Sequence, residues 1–183
     1  MFLVYAAVVA LVTVPLCGGR LGLLADVRLR RPWLVAAALG AQVVVTTLLP
    51  GLFDGAGSAV HLATYVLLGA FVWSNRHLPG LPVVALGAAC NWVAIAANEG
   101  VMPASRAALE RAGLPYDKAG EFANSATVDD AALGFLGDVL AIPASWPASN
   151  VFSVGDVLIL CGLVLALHAA AQTRLAPVAR ALA

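Results

Sequence analysis

Residues 136–160 read LGDVLAIPASWPASNVFSVGDVLIL and place two aspartates at the mouth of the last apolar segment of the chain. Asp138 lies within the apolar run AALGFLGDVLAIP, and Asp156 directly precedes the run VLILCGLVLALHAAA. A carboxylate in or beside such a run is costly to bury without a partner, so each position needs a physical reason. Two carboxylates in one short stretch therefore indicate a candidate functional site.

The composition of the whole chain is strongly apolar. Hydrophobic residues make up 62% of the sequence and charged residues 11%, with a mean hydropathy of +0.94. These values predict a polytopic membrane protein whose apolar runs form helices, because a helix satisfies its own backbone hydrogen bonds. The formal net charge is zero, so no basic surface for nucleic acid is expected.

Five apolar runs fit this prediction and define an all-α transmembrane helix bundle, a single membrane domain over 1–183. The spans are predicted at about 2–17, 33–52, 58–75, 80–97 and 155–172. The segment 98–154 is predicted to form a small extracytoplasmic cap. Within it, Ser105 and Gly113 bracket a short helix, and the apolar residues 131–142 predict an interfacial or re-entrant helix that Pro143 stops.

The arginines predict an orientation for the five spans. Seven of the ten basic residues fall on one side: Arg20, Arg28, Arg30, Arg31, Arg76, Arg174 and Arg180. The positive-inside rule makes that side cytoplasmic. The expected localisation is therefore the cell membrane, with an extracytoplasmic N-terminus, a cytoplasmic C-terminus and the two aspartates at the outer surface.

The C-terminal quarter resembles the type II lipoprotein signal peptidases. The resemblance rests on Gly137-Asp138-Val139 in an apolar context and on Phe152-Ser153-Val154-Gly155-Asp156 before an apolar helix. It implies an aspartyl hydrolase that cuts a lipid-modified or membrane-anchored peptide at the outer leaflet. The Gly-Asn-x-x-Asp-Arg motif of that family has no match in this chain.

Most of the chain also resembles an uncharacterised family of bacterial multi-pass membrane proteins, known as a domain of unknown function. The shared motifs are the GGRL turn at 18–21, Asn98-Glu99-Gly100-Val101-Met102-Pro103, the LGD motif and the FSxGDV motif. This second resemblance implies no activity.

The hydrolase interpretation assigns roles to six residues. Asp138 and Asp156 are the predicted catalytic pair, one activating a water as a base and the other acting as an acid. The predicted substrate-binding residues are Asn98, Asn150, Ser153 and His61. Ser153 takes the place of the asparagine in the signal peptidase motif, and Asn150 supplies hydrogen bonds in its stead.

Other interpretations of the same residues remain open. Asp156 at the start of a helix is also the position of a capping residue stabilised by the helix dipole, and Asp138 fits the polar side of a surface helix. A non-catalytic membrane protein is the alternative function: a lipid or solute binder, or an accessory subunit of a larger membrane complex. The amides Gln42 and Asn91, inside apolar runs, are predicted to be interhelical hydrogen-bond partners.

The expected partners are membrane lipids and a lipidated or membrane-anchored peptide, with no nucleic acid. The three histidines are scattered and the three cysteines show no CxxC spacing, so neither a metal nor another cofactor is predicted.

Overall fold

The computed structural model describes residues 2–44, 57–115, 125–128 and 130–181. The α-helices in these ranges are α1 (Phe2–Leu16), α2 (Trp33–Val43), α3 (Gly57–Ser74), α4 (Leu81–Ala97), α5 (Arg106–Ala112), α6 (Val154–Ala170) and α7 (Ala176–Ala181). Short 3-10 helices occupy Leu21–Asp26 and Gly134–Leu136. The long helices start close to the apolar runs identified in the sequence, because each run can bury one side against its neighbours.

The described helices do not support a membrane-spanning bundle. The longest of them, α3, has 18 residues and extends about 27 Å at 1.5 Å per residue. The hydrocarbon core of a bilayer is about 30 Å thick. None of the helices in the described residues combines the length and the apolar character needed to cross a membrane. The predicted five-span transmembrane bundle, its localisation in the cell membrane and its orientation are therefore wrong.

Two small β-ladders lie between α4 and α6. β1 (Met102–Pro103) pairs in parallel with β2 (Ser125–Ala126), and β3 (Leu140–Ile142) pairs antiparallel with β4 (Asn150–Phe152). The prediction of a helix over 131–142 is therefore wrong. Leu133 adopts a left-handed conformation with φ of 53°, which an α-helix does not accommodate. Within this segment only Gly134–Leu136 is helical, and it forms a 3-10 helix. The chain beyond it extends because it pairs with β4.

The short helix predicted in this segment is confirmed as α5. Ser105 occupies its N-cap with extended backbone angles, although its side chain makes no capping hydrogen bond. Gly113 ends the helix with φ of 67°, the left-handed conformation that glycine adopts without steric cost.

Helices α4 and α6 form the most extensive helix pair of the fold. Glycines at a seven-residue spacing line the contact, Gly80 and Gly87 on the α4 side and Gly155 and Gly162 on α6. A Cβ built on Gly162 would lie 2.7 Å from the carbonyl oxygen of Gly80, so a side chain would push the two backbones apart. The absence of side chains at these four positions therefore sets the distance between the helices.

Helix α1 is fixed against the C-terminal end of α6. His168 is buried, with Nε2 3.1 Å from Thr13 Oγ1 on α1 and Nδ1 3.0 Å from Thr173 Oγ1 beyond α6. The backbone N–H of Arg20 donates to the carbonyl of Ala171 at 3.0 Å. These bonds join both ends of the chain to one end of the helix bundle. Many large apolar side chains, among them Leu16 at 77% exposure, nevertheless remain uncovered by contacts within the chain.

Candidate functional site

Three polar side chains meet where α6 begins against α4, and we call Asn91, Ser153 and Asp156 the polar junction. Asn91 Nδ2 donates to Asp156 Oδ1 at 2.8 Å, and the Ser153 hydroxyl donates to Asn91 Oδ1 at 2.8 Å. The expectation that Asn91 makes an interhelical hydrogen bond is confirmed, since it lies on α4 and its partners lie on and before α6. The side chain of Gln42, the other amide, lies outside the described residues.

Ser153 and Asp156 also form a capping box at the start of α6. Ser153 Oγ accepts from the backbone N–H of Asp156 at 2.9 Å, and Asp156 Oδ2 accepts from the backbone N–H of Ser153 at 3.0 Å. Such a cap stabilises a helix by about 1 kcal/mol. Each carboxylate oxygen of Asp156 therefore already accepts a hydrogen bond from the chain, and the geometry around Asp156 is that of a helix cap.

Asp138 lies in the loop between the two β-ladders and is buried. Its backbone N–H donates to the carbonyl of Pro103 at 2.8 Å, and its carbonyl accepts from Ser105 at 3.0 Å. Gly137 beside it touches Pro103 so closely that a Cβ would lie 2.9 Å from the proline ring. The fold thus anchors the backbone of Asp138 to the segment that follows α4.

The pKa of Tyr65 on α3 depends on the charges of both aspartates. Burial, together with the negative charges of Asp156 and Asp138, raises the pKa of the Tyr65 hydroxyl to about 12. The ring packs on the buried cluster of Ala94, Ile95 and Met102, which Leu136 also contacts. The charges of both carboxylates thus favour the neutral phenol of Tyr65, which stays protonated at neutral pH.

The remaining predicted site residues do not join this group. Asn98 is buried, and its amide donates to the carbonyls of Ala94 and Ala132 at 2.7 and 2.8 Å and accepts from the N–H of Ala132 at 3.0 Å. These hydrogen bonds hold the loop that contains Ala132 against the C-terminal end of α4. Asn150 is half-buried in β4 opposite Ile142. His61 belongs to α3, but its side chain lies outside the described residues.

Sequence reasoning missed Tyr65 altogether, and it predicted Asn91 as an interhelical hydrogen-bond partner without naming Asp156 or Ser153 as its partners. Tyr65 lies in the run ATYVLL, where an aromatic residue is ordinary core material and carries no signal of a polar neighbour. The contact of Asn91 with Asp156 depends on the α4–α6 pairing, for which the glycine spacing was the available signal.

A much larger opening, which we call the basal groove, lies at the opposite end of α6. It has a volume of about 1090 Å³ and runs between the first 3-10 helix, α2, the α3–α4 turn, α6 and α7. Leu81 and Ala169 are buried at its floor, beside the half-buried Phe71, Leu78 and Ala166. The titratable residues that line it are all exposed at its rim: Asp26, Arg28, His77 and Arg180.

The fold defines a mostly helical protein with two short β-ladders, a self-bonded polar junction and an open apolar groove. The chain belongs to DUF5317, a family of unknown function whose profile matches residues 26–168. It is similar to an uncharacterized protein of Thermotoga maritima, with 30% identity over 106 residues that cover 58% of this chain. The matched region spans 60% of that relative's length. No solved structure matches the chain.

Proposed function

We propose that the protein binds a small molecule with an apolar chain in the basal groove. The observation that carries this proposal is the groove itself, whose volume of about 1090 Å³ reaches the upper end of the range of roughly 300–1,000 Å³ for ligand pockets. Its floor is apolar and its charged residues are confined to the rim. The polar junction supports binding less well, because its side chains already bond to one another.

The energy of burying an apolar chain is sufficient for measurable affinity. Each methylene removed from water contributes about 0.8 kcal/mol, so a chain of about ten contributes about 8 kcal/mol. Association costs at least about 4 kcal/mol in lost freedom. A cost at this lower limit leaves about 4 kcal/mol, which corresponds to a dissociation constant of about 1 mM.

Adjacent alanines on α2 provide a matched test of this proposal. Ala36 and Ala37 are both exposed, but Ala36 lines the groove and Ala37 does not. Binding of dodecanol is measured by displacement of a neutral fluorescent dye such as Nile red. We expect Ala36→Trp to weaken dodecanol binding by about tenfold, since the indole occupies space worth about two methylene contacts.

Ala37→Trp is expected to bind dodecanol as the wild type does. Equal affinity in both variants, or no saturable dodecanol binding by the wild-type protein, would sink the proposal.

A second candidate function is an aspartyl hydrolase acting on a lipid-modified peptide, as the resemblance to type II signal peptidases implies. It is supported by the raised pKa of the Tyr65 hydroxyl, to which the charges of Asp156 and Asp138 both contribute after burial. A smaller apolar cavity of about 220 Å³ between α3 and α4 begins beside Tyr65 and gives room for an apolar group. In this function one carboxylate activates a water and the other protonates the leaving amine.

The hydrolase is tested by incubating the protein with a diacylated lipopeptide and measuring cleavage by mass spectrometry. Asp138→Asn and Asp156→Asn are each expected to abolish cleavage, because an amide cannot transfer the proton. Asp156→Asn keeps one side-chain oxygen for the two hydrogen bonds that the carboxylate accepts from Ser153 N–H and Asn91 Nδ2, so the unfolding midpoint of the variant is measured as the control for folding. Undiminished cleavage in both variants would exclude the pair as catalytic.

A further inference from the structure

We infer that the ligand of the basal groove is a fatty acid, a single acyl chain whose carboxylate is held at the rim by Arg28 and Arg180. This inference rests on the proposed binding function and adds the chemical class of the ligand.

Charge is distributed unevenly along the molecule. The segments 17–31, 74–80 and 171–181 contain seven arginines and a single acidic residue, Asp26. Hydrogen bonds hold these segments together as one surface, which we call the basic end. Asn75 Nδ2 donates to the carbonyl of Arg30 at 2.8 Å, and the N–H of Arg174 donates to the carbonyl of Cys17 at 3.0 Å. The basal groove opens into this basic end.

The two arginines of the groove come from different elements, Arg28 from the connection before α2 and Arg180 from α7. Both are exposed, and neither forms a hydrogen bond or an ion pair with another residue in the part of the chain that the structure describes. An arginine fork matches a carboxylate in a bidentate manner. The two side chains thus remain available to an anion at the rim, where Asp26 is the one acidic residue among the described residues that line the groove.

The apolar floor determines what else the anion must carry. Leu81, Ala169 and Phe71 offer contact to a hydrocarbon chain but no hydrogen bond from their side chains. A small inorganic anion would leave this floor uncovered, and a neutral hydrocarbon would leave the arginines without a partner. A single acyl chain that ends in a carboxylate complements both parts, and a groove of about 1090 Å³ has room for it.

The test compares two ligands of equal chain length, dodecanoate and dodecanol, on three proteins by displacement of Nile red at low ionic strength and neutral pH. The proteins are the wild type, the Arg28→Gln/Arg180→Gln double variant and the control Arg31→Gln. Arg31 is an exposed arginine of the same basic end that does not line the groove. The control therefore removes charge from the same surface without touching the rim.

Wild-type protein is expected to bind dodecanoate about tenfold more tightly than dodecanol, since two partly exposed ion pairs add this much. The double variant should lose this preference while keeping its affinity for dodecanol, and Arg31→Gln should keep the preference. Added salt should reduce the preference in the wild type, because screening weakens exposed ion pairs.

The outcomes separate this inference from the proposed function. Wild-type binding of dodecanol with no preference for dodecanoate, or an undiminished preference in the double variant, would overturn the fatty-acid assignment and leave the groove as a binding site. Failure of both ligands to bind the wild type would overturn the binding function itself.

Discussion

The contact between α4 and α6 makes a sharp prediction for Gly155→Ala. A Cβ at this position would overlap the Asn91 amide oxygen and lie 2.7 Å from both the Asn91 Cγ and the carbonyl oxygen of Gly87. Backbone and a bonded amide surround it, so neither neighbour can move without loss. The substitution should force the helices apart and break the hydrogen bonds that Asn91 makes to Ser153 and Asp156.

The magnitude follows from three contributions to the free energy of unfolding. Overpacking costs about 1–3 kcal/mol, and two disrupted hydrogen bonds cost about 1 kcal/mol each. Replacing glycine by alanine in a helix returns up to about 1 kcal/mol. The net destabilisation is about 2–4 kcal/mol. For a chain of this length that corresponds to a fall of roughly 4–16 °C in the thermal midpoint.

Gly69→Ala is the matched control, because Gly69 lies within α3 and a Cβ there would meet nothing within 4 Å. It should raise the free energy of unfolding by about 0.5–1 kcal/mol. Both variants are compared with the wild type by urea unfolding, followed by circular dichroism. A Gly155→Ala protein as stable as the wild type would refute the view that this glycine sets the helix contact.

Three further predictions concern single side chains. Tyr65→Phe should remove an absorbance transition near pH 12. The stability that the protonated Tyr65 contributes is complete below about pH 10, the ordinary pKa of tyrosine, and is lost as the pH rises to about 12. Unfolding of the wild type and of the variant, measured as a function of pH, tests this loss. Asn98→Ala should lower the free energy of unfolding by about 2–3 kcal/mol, because it removes the three hydrogen bonds, worth about 1 kcal/mol each, that the buried Asn98 amide makes to Ala94 and Ala132; chemical unfolding with an unchanged slope would confirm it. Gly113→Ala should destabilise by about 1 kcal/mol, because φ of 67° strains an alanine; a thermal midpoint equal to that of the wild type would contradict this account.

The class of protein was the main error of the sequence interpretation. Composition gives the apolar fraction of a chain but not the length of its helices. Membrane spans were predicted here because each apolar run was taken as one continuous helix long enough to cross a bilayer. Three of the described helices are each about one residue shorter than the predicted spans and fall short of the roughly 20 residues that a span needs: α1 has 15 residues, and α4 and α6 have 17 each. The physical requirement for a span is length as well as apolar character, and hydropathy alone does not locate where a helix stops.

Local features were readable because their causes lie within a few residues. The beginning of α5 after Ser105 and its end at Gly113 follow from backbone preferences that act locally. The acidic cap at the start of α6 was one of two open interpretations of Asp156, and the capping box supplies its geometry. The segment 131–142 was different, since its strand depends on pairing with β4 and an apolar run does not reveal its partner.

The sequence by itself therefore determined where most helices begin and where α5 begins and ends. Only the tertiary structure decided that α4 packs on α6, because the contact requires glycines 68 to 82 residues apart in the chain to face each other. That packing bonds Asn91 to Asp156, and the basal groove forms where α2, α6, α7 and the α3–α4 turn meet. Each of these features depends on the distance between separate segments, a quantity that no local pattern of residues contains.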